Sequence, residues 1–177
     1  MSPEPSFRAA FRRRRCLFIA DAFYEWRREP KSQTAAKAAV QPYLFRRRDG
    51  EPLALAGLWE TWTGPNGEEL DTACIITTAA NGATACIHDR LPAIIEPASF
   101  DVWFDPDETT TDLAFGLLQP PENEALEFFE ISSAINKAGN DSPEVQKPIG
   151  PLDSIGSAVP MKDEEPDLSK PAQGSLF

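Results

Sequence analysis

Leu53-Ala54-Leu55-Ala56-Gly57-Leu58-Trp59-Glu60-Thr61-Trp62 reads as one long strand. Asn66-Gly67 follows as a hairpin turn, and Asp71 to Thr78 returns as a second strand. Upstream, Tyr43-Leu44-Phe45-Arg46 reads as a strand ending at Asp49-Gly50, another hairpin signal. Three strands joined by Asp-Gly and Asn-Gly turns predict an antiparallel meander. Around it, Cys16-Leu17-Phe18-Ile19 predicts a buried strand, Leu91 to Ile95 a short one and Leu126 to Ser132 a last one. A short helix is expected from Asn81, with its far end delivering His88. Pro97 to Phe104 predicts a helix with Pro in its first turn and Phe100, Trp103 and Phe104 facing inward. Thr109 to Leu118 predicts another, stopped by Pro120-Pro121. The class is α+β: a mostly antiparallel sheet meander with a few short helices.

The 177 residues set one domain, 1–150, followed by a tail. Residues 151–177 are rich in Pro, Ser, Gly, Asp and Glu and are expected to be a disordered acidic tail. Met1 to Ser6 is expected to be loose, and Lys31 to Gln41 is an Ala-rich, low-complexity loop. The 41% hydrophobic content suffices for a core. No apolar run approaches the ~20 residues that span a bilayer. The basic N-terminus has no apolar segment after it and is not a secretory signal. Cys16, Cys74 and Cys86 are odd in number and lack a Cys-x-x-Cys spacing, which argues against a disulfide framework or zinc site and suits a reducing cytosol. The net charge of −11 hides an asymmetry. Residues 1–48 carry 12 Lys and Arg against 4 Asp and Glu, and the remainder carries 5 against 24. A basic N-terminal third can hold a phosphate backbone if its charge collects on one face. Arg12-Arg13-Arg14-Arg15 is either a solvated segment or a wall of such a groove.

Two stretches carry chemistry. Ile87-His88-Asp89-Arg90-Leu91-Pro92 contains the only histidine. Imidazole alone titrates near neutral pH without help, so His88 is either a hydrogen-bonded structural residue or the chain's proton shuttle. Its polar triplet against an apolar run is costly unless paired or used. In Ala22-Phe23-Tyr24-Glu25-Trp26, strand alternation puts Phe23 and Glu25 on one face and Tyr24 and Trp26 on the other. A carboxylate among three aromatics is expected to be partly desolvated, which raises its pKa and suits a general acid/base. The alternative is a Glu paired with one of the many arginines. The reading requires Glu25 and His88 to share one cleft. No G-x-S-x-G elbow supports a triad hydrolase.

The chain resembles the SOS response-associated peptidase (SRAP) family, the abasic-site processing proteins. The resemblance is carried by Arg14-Arg15-Cys16-Leu17, Phe23-Tyr24-Glu25-Trp26, Leu55-Ala56-Gly57-Leu58-Trp59-Glu60, Thr77-Thr78-Ala79-Ala80-Asn81 and His88-Asp89-Arg90-Leu91-Pro92, in that order, with Ile131-Ser132 through Asn136 and Pro148-Ile149 matching the closing segment. It covers about residues 6–150. It implies a partial barrel-like fold, no cofactor or metal, and a cytoplasmic, nucleoid-associated bacterial protein acting on abasic sites in single-stranded DNA during the SOS response to DNA damage. It also implies that Glu25 shuttles protons, that His88 is the acid/base in sugar ring opening and adduct reversal, that Arg90 lies close to phosphate and that Thr77 lines the same pocket. Proton transfer at both oxygens is what opening a hemiacetal needs.

The family's nucleophile is a cysteine at position 2, whose amine and thiol close a thiazolidine on the aldehyde. Position 2 here is Ser2. The opening Cys-Gly-Arg stretch and the downstream segment with an Asn and an Arg of the site are not present, so the chain resembles the later two-thirds of the domain. Covalent DNA cross-linking, and the peptidase (hydrolase) or lyase activity of the family, are therefore expected to be impaired. Unpaired sheet edges and marginal stability are expected with it. The rival reading is a non-catalytic single-stranded DNA-binding or clamp-recruited module, with arginines on phosphates and aromatics on bases. Gln173, Leu176 and Phe177 resemble the Q-x-S-L-F peptide that docks bacterial proteins on the replicative sliding clamp.

Overall fold

The computed structural model describes residues 7–28, 40–107 and 111–150. The expectations for Met1 to Ser6, for most of the Ala-rich loop and for the tail with its clamp peptide lie outside them. Within the described residues, eight strands and three short α-helices run in the order α1 (Arg8–Arg13), β1 (Arg15–Ala20), β2 (Phe23–Arg28), β3 (Val40–Arg47), β4 (Leu53–Thr63), β5 (Glu69–Ile75), β6 (Thr77–Ala79), β7 (Arg90–Pro92), α2 (Phe100–Phe104), α3 (Thr111–Gly116) and β8 (Leu126–Glu130). Their pairings are antiparallel. The α+β class is as the sequence predicts.

The meander is not. One sheet has the order β1-β4-β5, a second β2-β3-β8, and β6 pairs with β7. Strands β3 and β4 do not pair. Asp49-Gly50 does turn the chain: Gly50 takes φ +80° and its N–H donates to the Arg47 carbonyl at 3.3 Å. The turn passes the chain from one sheet to the other, because both faces of Leu53–Leu58 are apolar and each needs cover. Leu53 and Leu55 join Phe45, Leu91 and Phe128 in one core cluster. Ala56 and Leu58 join Phe11, Ile95 and Trp103 in the other.

Asn66-Gly67 makes the expected hairpin. The Gly67 N–H donates to the Gly64 carbonyl (3.0 Å), the Gly64 N–H to the Glu68 carbonyl (2.8 Å), and Gly67 takes φ +85°. The returning strand breaks at Ile76. Up to Ile75 it pairs with β4, and from Thr77 it pairs with β7. Ile76 donates to the Ala56 carbonyl and accepts from Ala93, and Ala56 donates to Ala93. This three-way junction joins the β6-β7 pair to the edge of β4. Gly57 lies beside it, opposite Cys16 and Ile75. A Cβ there would stand 2.4 Å from the Phe18 ring and 3.0 Å from Cys16 Sγ, so only glycine fits.

Several local expectations need correction. Strand β1 is an edge strand and only half-buried, with Ile19 66% exposed. Residues 82–87 form consecutive turns, not a helix, although the Asn81 side chain accepts from the Ala83 and Thr84 N–H groups as a helix N-cap does. A 3₁₀ turn at Pro97–Ser99 leads into α2, where Trp103 is fully buried but Phe104 is exposed. The helix Thr111–Gly116 stops two residues before Leu118, and the strand Leu126–Glu130 two residues before Ser132.

The arginine run divides. Arg12 and Arg13 end α1 on the exposed side, and Arg14 pairs with Glu60. Arg15 is buried. Its guanidinium donates to the carbonyls of Trp103, Phe11, Arg12 and Asp105 and lies over the Phe11 and Trp103 rings. It is a structural clamp between α1, β1 and α2, not part of a groove wall. Among the described residues no helix is long and apolar enough to cross a membrane.

Candidate active site

Glu25 is placed by the alternation of β2. Phe23 stacks on Phe45 with centroids 5.0 Å apart, which fixes that face inward, and Glu25 follows two residues later on the same face. His88 arrives from the other side. Asn81 anchors its loop, accepting from Thr84 Oγ1 at 2.8 Å and donating to the Pro121 carbonyl at 3.0 Å. Ile87 is buried in the core with Phe45 and Leu91. The Ala80 N–H donates to the Asp89 carbonyl and closes the loop. His88 is thus held at the rim by a buried residue before it and a strand after it.

His88 Nδ1 lies 3.8 Å from Glu25 Oε2 and 3.4 Å from Asp89 Oδ1. It is 2.9 Å from the Arg90 carbonyl oxygen and 3.2 Å from the Arg90 N–H. In one tautomer Nδ1 donates to the Arg90 carbonyl, and in the other it accepts from the Arg90 N–H, so the Arg90 backbone holds the ring in either form. The side chains are 43% exposed for His88 and 20% for Glu25, so the pair is open to substrate on the imidazole side. Burial raises the Glu25 carboxyl above its ordinary range; the His88 charge and the Trp26 amide pull it down, and Asp89 pushes it up. A carboxyl that holds its proton longer, beside an imidazole, is equipped to pass protons both ways.

Thr77 and Arg90 form a second pair across β6 and β7. Arg90 Nε donates to Thr77 Oγ1 at 2.7 Å and Nη2 to the Thr77 carbonyl at 2.6 Å. The two pairs meet through the Arg90 backbone, which bonds His88 Nδ1. Their side chains open on different hollows. Arg90 and Thr77 line a cavity of about 330 Å³ with Phe11, Leu58, Cys74 and Phe115. His88 and Asp89 line a groove of about 390 Å³ with Trp26, Arg27, Arg28 and Cys86.

The sequence does not single out Trp26, Arg27 and Arg28 as lining residues. Their signal lies in the basic pair that directly follows the aromatic box around Glu25. Trp26 is held by its indole N–H, which donates to Asn136 Oδ1 at 2.7 Å. Asn136 belongs to a 3₁₀ turn, Ser133–Asn136, capped by Ser132. Cys16 lies in β1, and burial, then the neighbouring Cys74, raises its thiol. It stands outside both hollows.

The family model described as SOS response associated peptidase (SRAP) matches residues 1–138. The abasic site processing protein YoqW of Bacillus subtilis is 37% identical over 146 residues, covering 82% of this chain and 62% of the relative. YoaM of the same organism, also an abasic site processing protein, is 33% identical and covers 82% and 61%. The abasic site processing protein HMCES of Xenopus tropicalis is 29% identical and covers 91% and 56%. A crystal structure from Bacteroides thetaiotaomicron superposes with a TM-score of 0.68 at 26% identity, covering 82% of this chain and 61% of that one. One from Bordetella bronchiseptica gives 0.59 at 25%, covering 73% and 61%. The chain therefore spans less than two thirds of the length of these relatives. With the matching blocks on the strands and loops that carry Glu25, Thr77, His88 and Arg90, the chain belongs to the SOS response-associated peptidase family.

Proposed function

We propose that this chain acts on abasic sites in single-stranded DNA, with Glu25 and His88 opening the baseless deoxyribose. The observation that carries the reading is the 3.8 Å approach of two side chains 63 positions apart, one a half-buried carboxyl and the other the sole imidazole. Ring opening removes the proton of the C1′ hydroxyl as the C1′–ring-oxygen bond breaks, and adds a proton to the departing oxygen. His88 takes the proton of the C1′ hydroxyl, the Glu25 carboxyl gives its own proton to the ring oxygen, and return of the proton from His88 to Glu25 restores the pair. The reverse transfers close the ring. Arg90, braced by Thr77, takes a phosphate beside the site, and Arg28 another along the groove.

Covalent capture is a separate step. Cys16, Cys74 and Cys86 lie mid-chain with no free amine beside the thiol, so none of the three closes a thiazolidine on the aldehyde. The test is incubation of the full chain with abasic single-stranded DNA, followed by denaturing electrophoresis. A trace of denaturant-resistant adduct that disappears in H88N supports the reading. Equal binding of abasic and undamaged strands, with no adduct, supports the second one. That rival, a non-catalytic single-strand module, is favoured by the groove that sets Trp26 beside Arg27 and Arg28, a stacking surface next to cations. Under either reading the Gln173, Leu176 and Phe177 peptide recruits the chain to the sliding clamp. A clamp pull-down that survives deletion of 173–177 would refute that.

A further inference from the structure

Glu25, Tyr43 and Glu130 stand in one row across the second sheet. Glu25 pairs in register with Tyr43, and Tyr43 with Glu130. Pairs in register share a face. Arg27 lies two residues beyond Glu25 on the same strand, on that same face. Its guanidinium could swing back to Glu25. It does not: Nη2 lies 3.4 Å from Glu130 Oε1, and the guanidinium stands over the Tyr43 ring, 5.2 Å from the centroid. The buried Tyr43 hydroxyl donates to the same Glu130 oxygen at 2.7 Å. Burial and this bond hold the phenol protonated, so it stays a donor.

We infer that Glu130, together with Tyr43, is a positioning residue that holds the Arg27 guanidinium away from Glu25. Every member of the array has a part. Tyr43 is the platform and the second ligand of Glu130. Glu130 supplies the charge that competes with Glu25 for Arg27. Arg27, held there, faces the groove that His88 also lines. Of the titratable and charged groups, Arg27 shares the strand of Glu25, Tyr43 and beyond it Glu130 share its row, His88 and Asp89 reach it from the loop before β7, and Cys86 of that loop acts on Tyr43. His88 and Asp89 act on it directly, whereas Arg27 is engaged with Glu130. An Arg–carboxylate pair at Glu25 would fix its ionised form and take the proton out of use.

The functional meaning rests on the proton-transfer role proposed for Glu25, but the test does not need DNA. The Glu25 carboxyl is titrated by carbon-detected NMR in the full chain, in the parent, E130Q, R27Q and the double variant. With Glu130 neutralised, Arg27 turns to Glu25, whose midpoint falls by about one unit. R27Q alone moves it little, and the double variant restores it, so the two substitutions are strongly non-additive. Additive effects overturn the inference. E130D keeps the charge but withdraws the carboxylate by one methylene. It shifts Glu25 in the same direction, and an E130D titration identical to the parent overturns the inference whether or not E130Q folds. A non-additive cycle in a protein that leaves abasic DNA unchanged refutes the role of Glu25 and spares the positioning. An active protein with an additive cycle does the reverse.

Discussion

Replacing Glu25 with glutamine should stabilise the protein at high pH while disabling it. The carboxyl side chain is 20% exposed, and its largest influence is burial, which raises its pKa above the ordinary 4.5. A raised folded pKa means the folded state binds the proton more tightly than the unfolded chain. The group's stabilising contribution is therefore complete below about pH 4 and is lost as pH rises through the folded value. Above that, an ionised carboxylate is held partly out of water, at a cost on the order of 1 kcal/mol. The amide of the E25Q variant keeps the shape and has no charge to desolvate. The E25Q chain should match the parent in urea unfolding near pH 4 and gain on it as pH rises, reaching about 1 kcal/mol, or about 3 °C in Tm, at pH 8. An E25Q chain that is less stable than the parent at pH 8 would show that His88 and the Trp26 amide over-compensate burial, and would refute the claim that the site stores this cost.

Other outcomes follow from the packing. G57A drives a methyl into the Phe18 ring and Cys16 Sγ and should cost about 1–3 kcal/mol by chemical denaturation. R15M leaves four carbonyls without their donor and should cost about 3 kcal/mol, with R15K intermediate, because one ammonium cannot reach all four. R90A should weaken binding to every single strand alike and lower the slope of log affinity against log salt by about 0.7, leaving Thr77 in place.

Much of this was legible because local rules and global packing agree. The alternation in Phe23-Tyr24-Glu25-Trp26 survives intact: Phe23 meets Phe45, and Tyr24 and Trp26 share the other face with ring centroids 6.4 Å apart. Asn66-Gly67 closes its hairpin because the two strands beside it are partners. Asp49-Gly50 carries the same local signal, yet no turn chemistry tells which sheet the next strand will join. That choice was made by the doubly apolar Leu53–Leu58, which needs two cores. The Arg12–Arg15 run concealed a buried residue, since nothing in four identical side chains marks Arg15 as the one beneath Trp103. Glu25 and His88 stood out by residue type and setting, each with a structural alternative, and the resemblance joined them in one pocket. The array of Arg27, Tyr43 and Glu130 did not stand out, because strand register sets it and Tyr43 and Glu130 stand 87 positions apart in the chain.

We propose that Glu25 and His88 work as one proton-transferring unit on an abasic sugar. The direct measurement is anomer exchange at C1′ of a ¹³C-labelled abasic oligonucleotide, followed by NMR with the parent, E25Q, H88N and the double variant. Exchange through the open aldehyde should be accelerated by the parent, each single variant should lose about 10²–10⁴-fold, and the double should lose no more than the worse single. Exchange unaffected by either substitution, or losses that multiply in the double variant, would contradict the account.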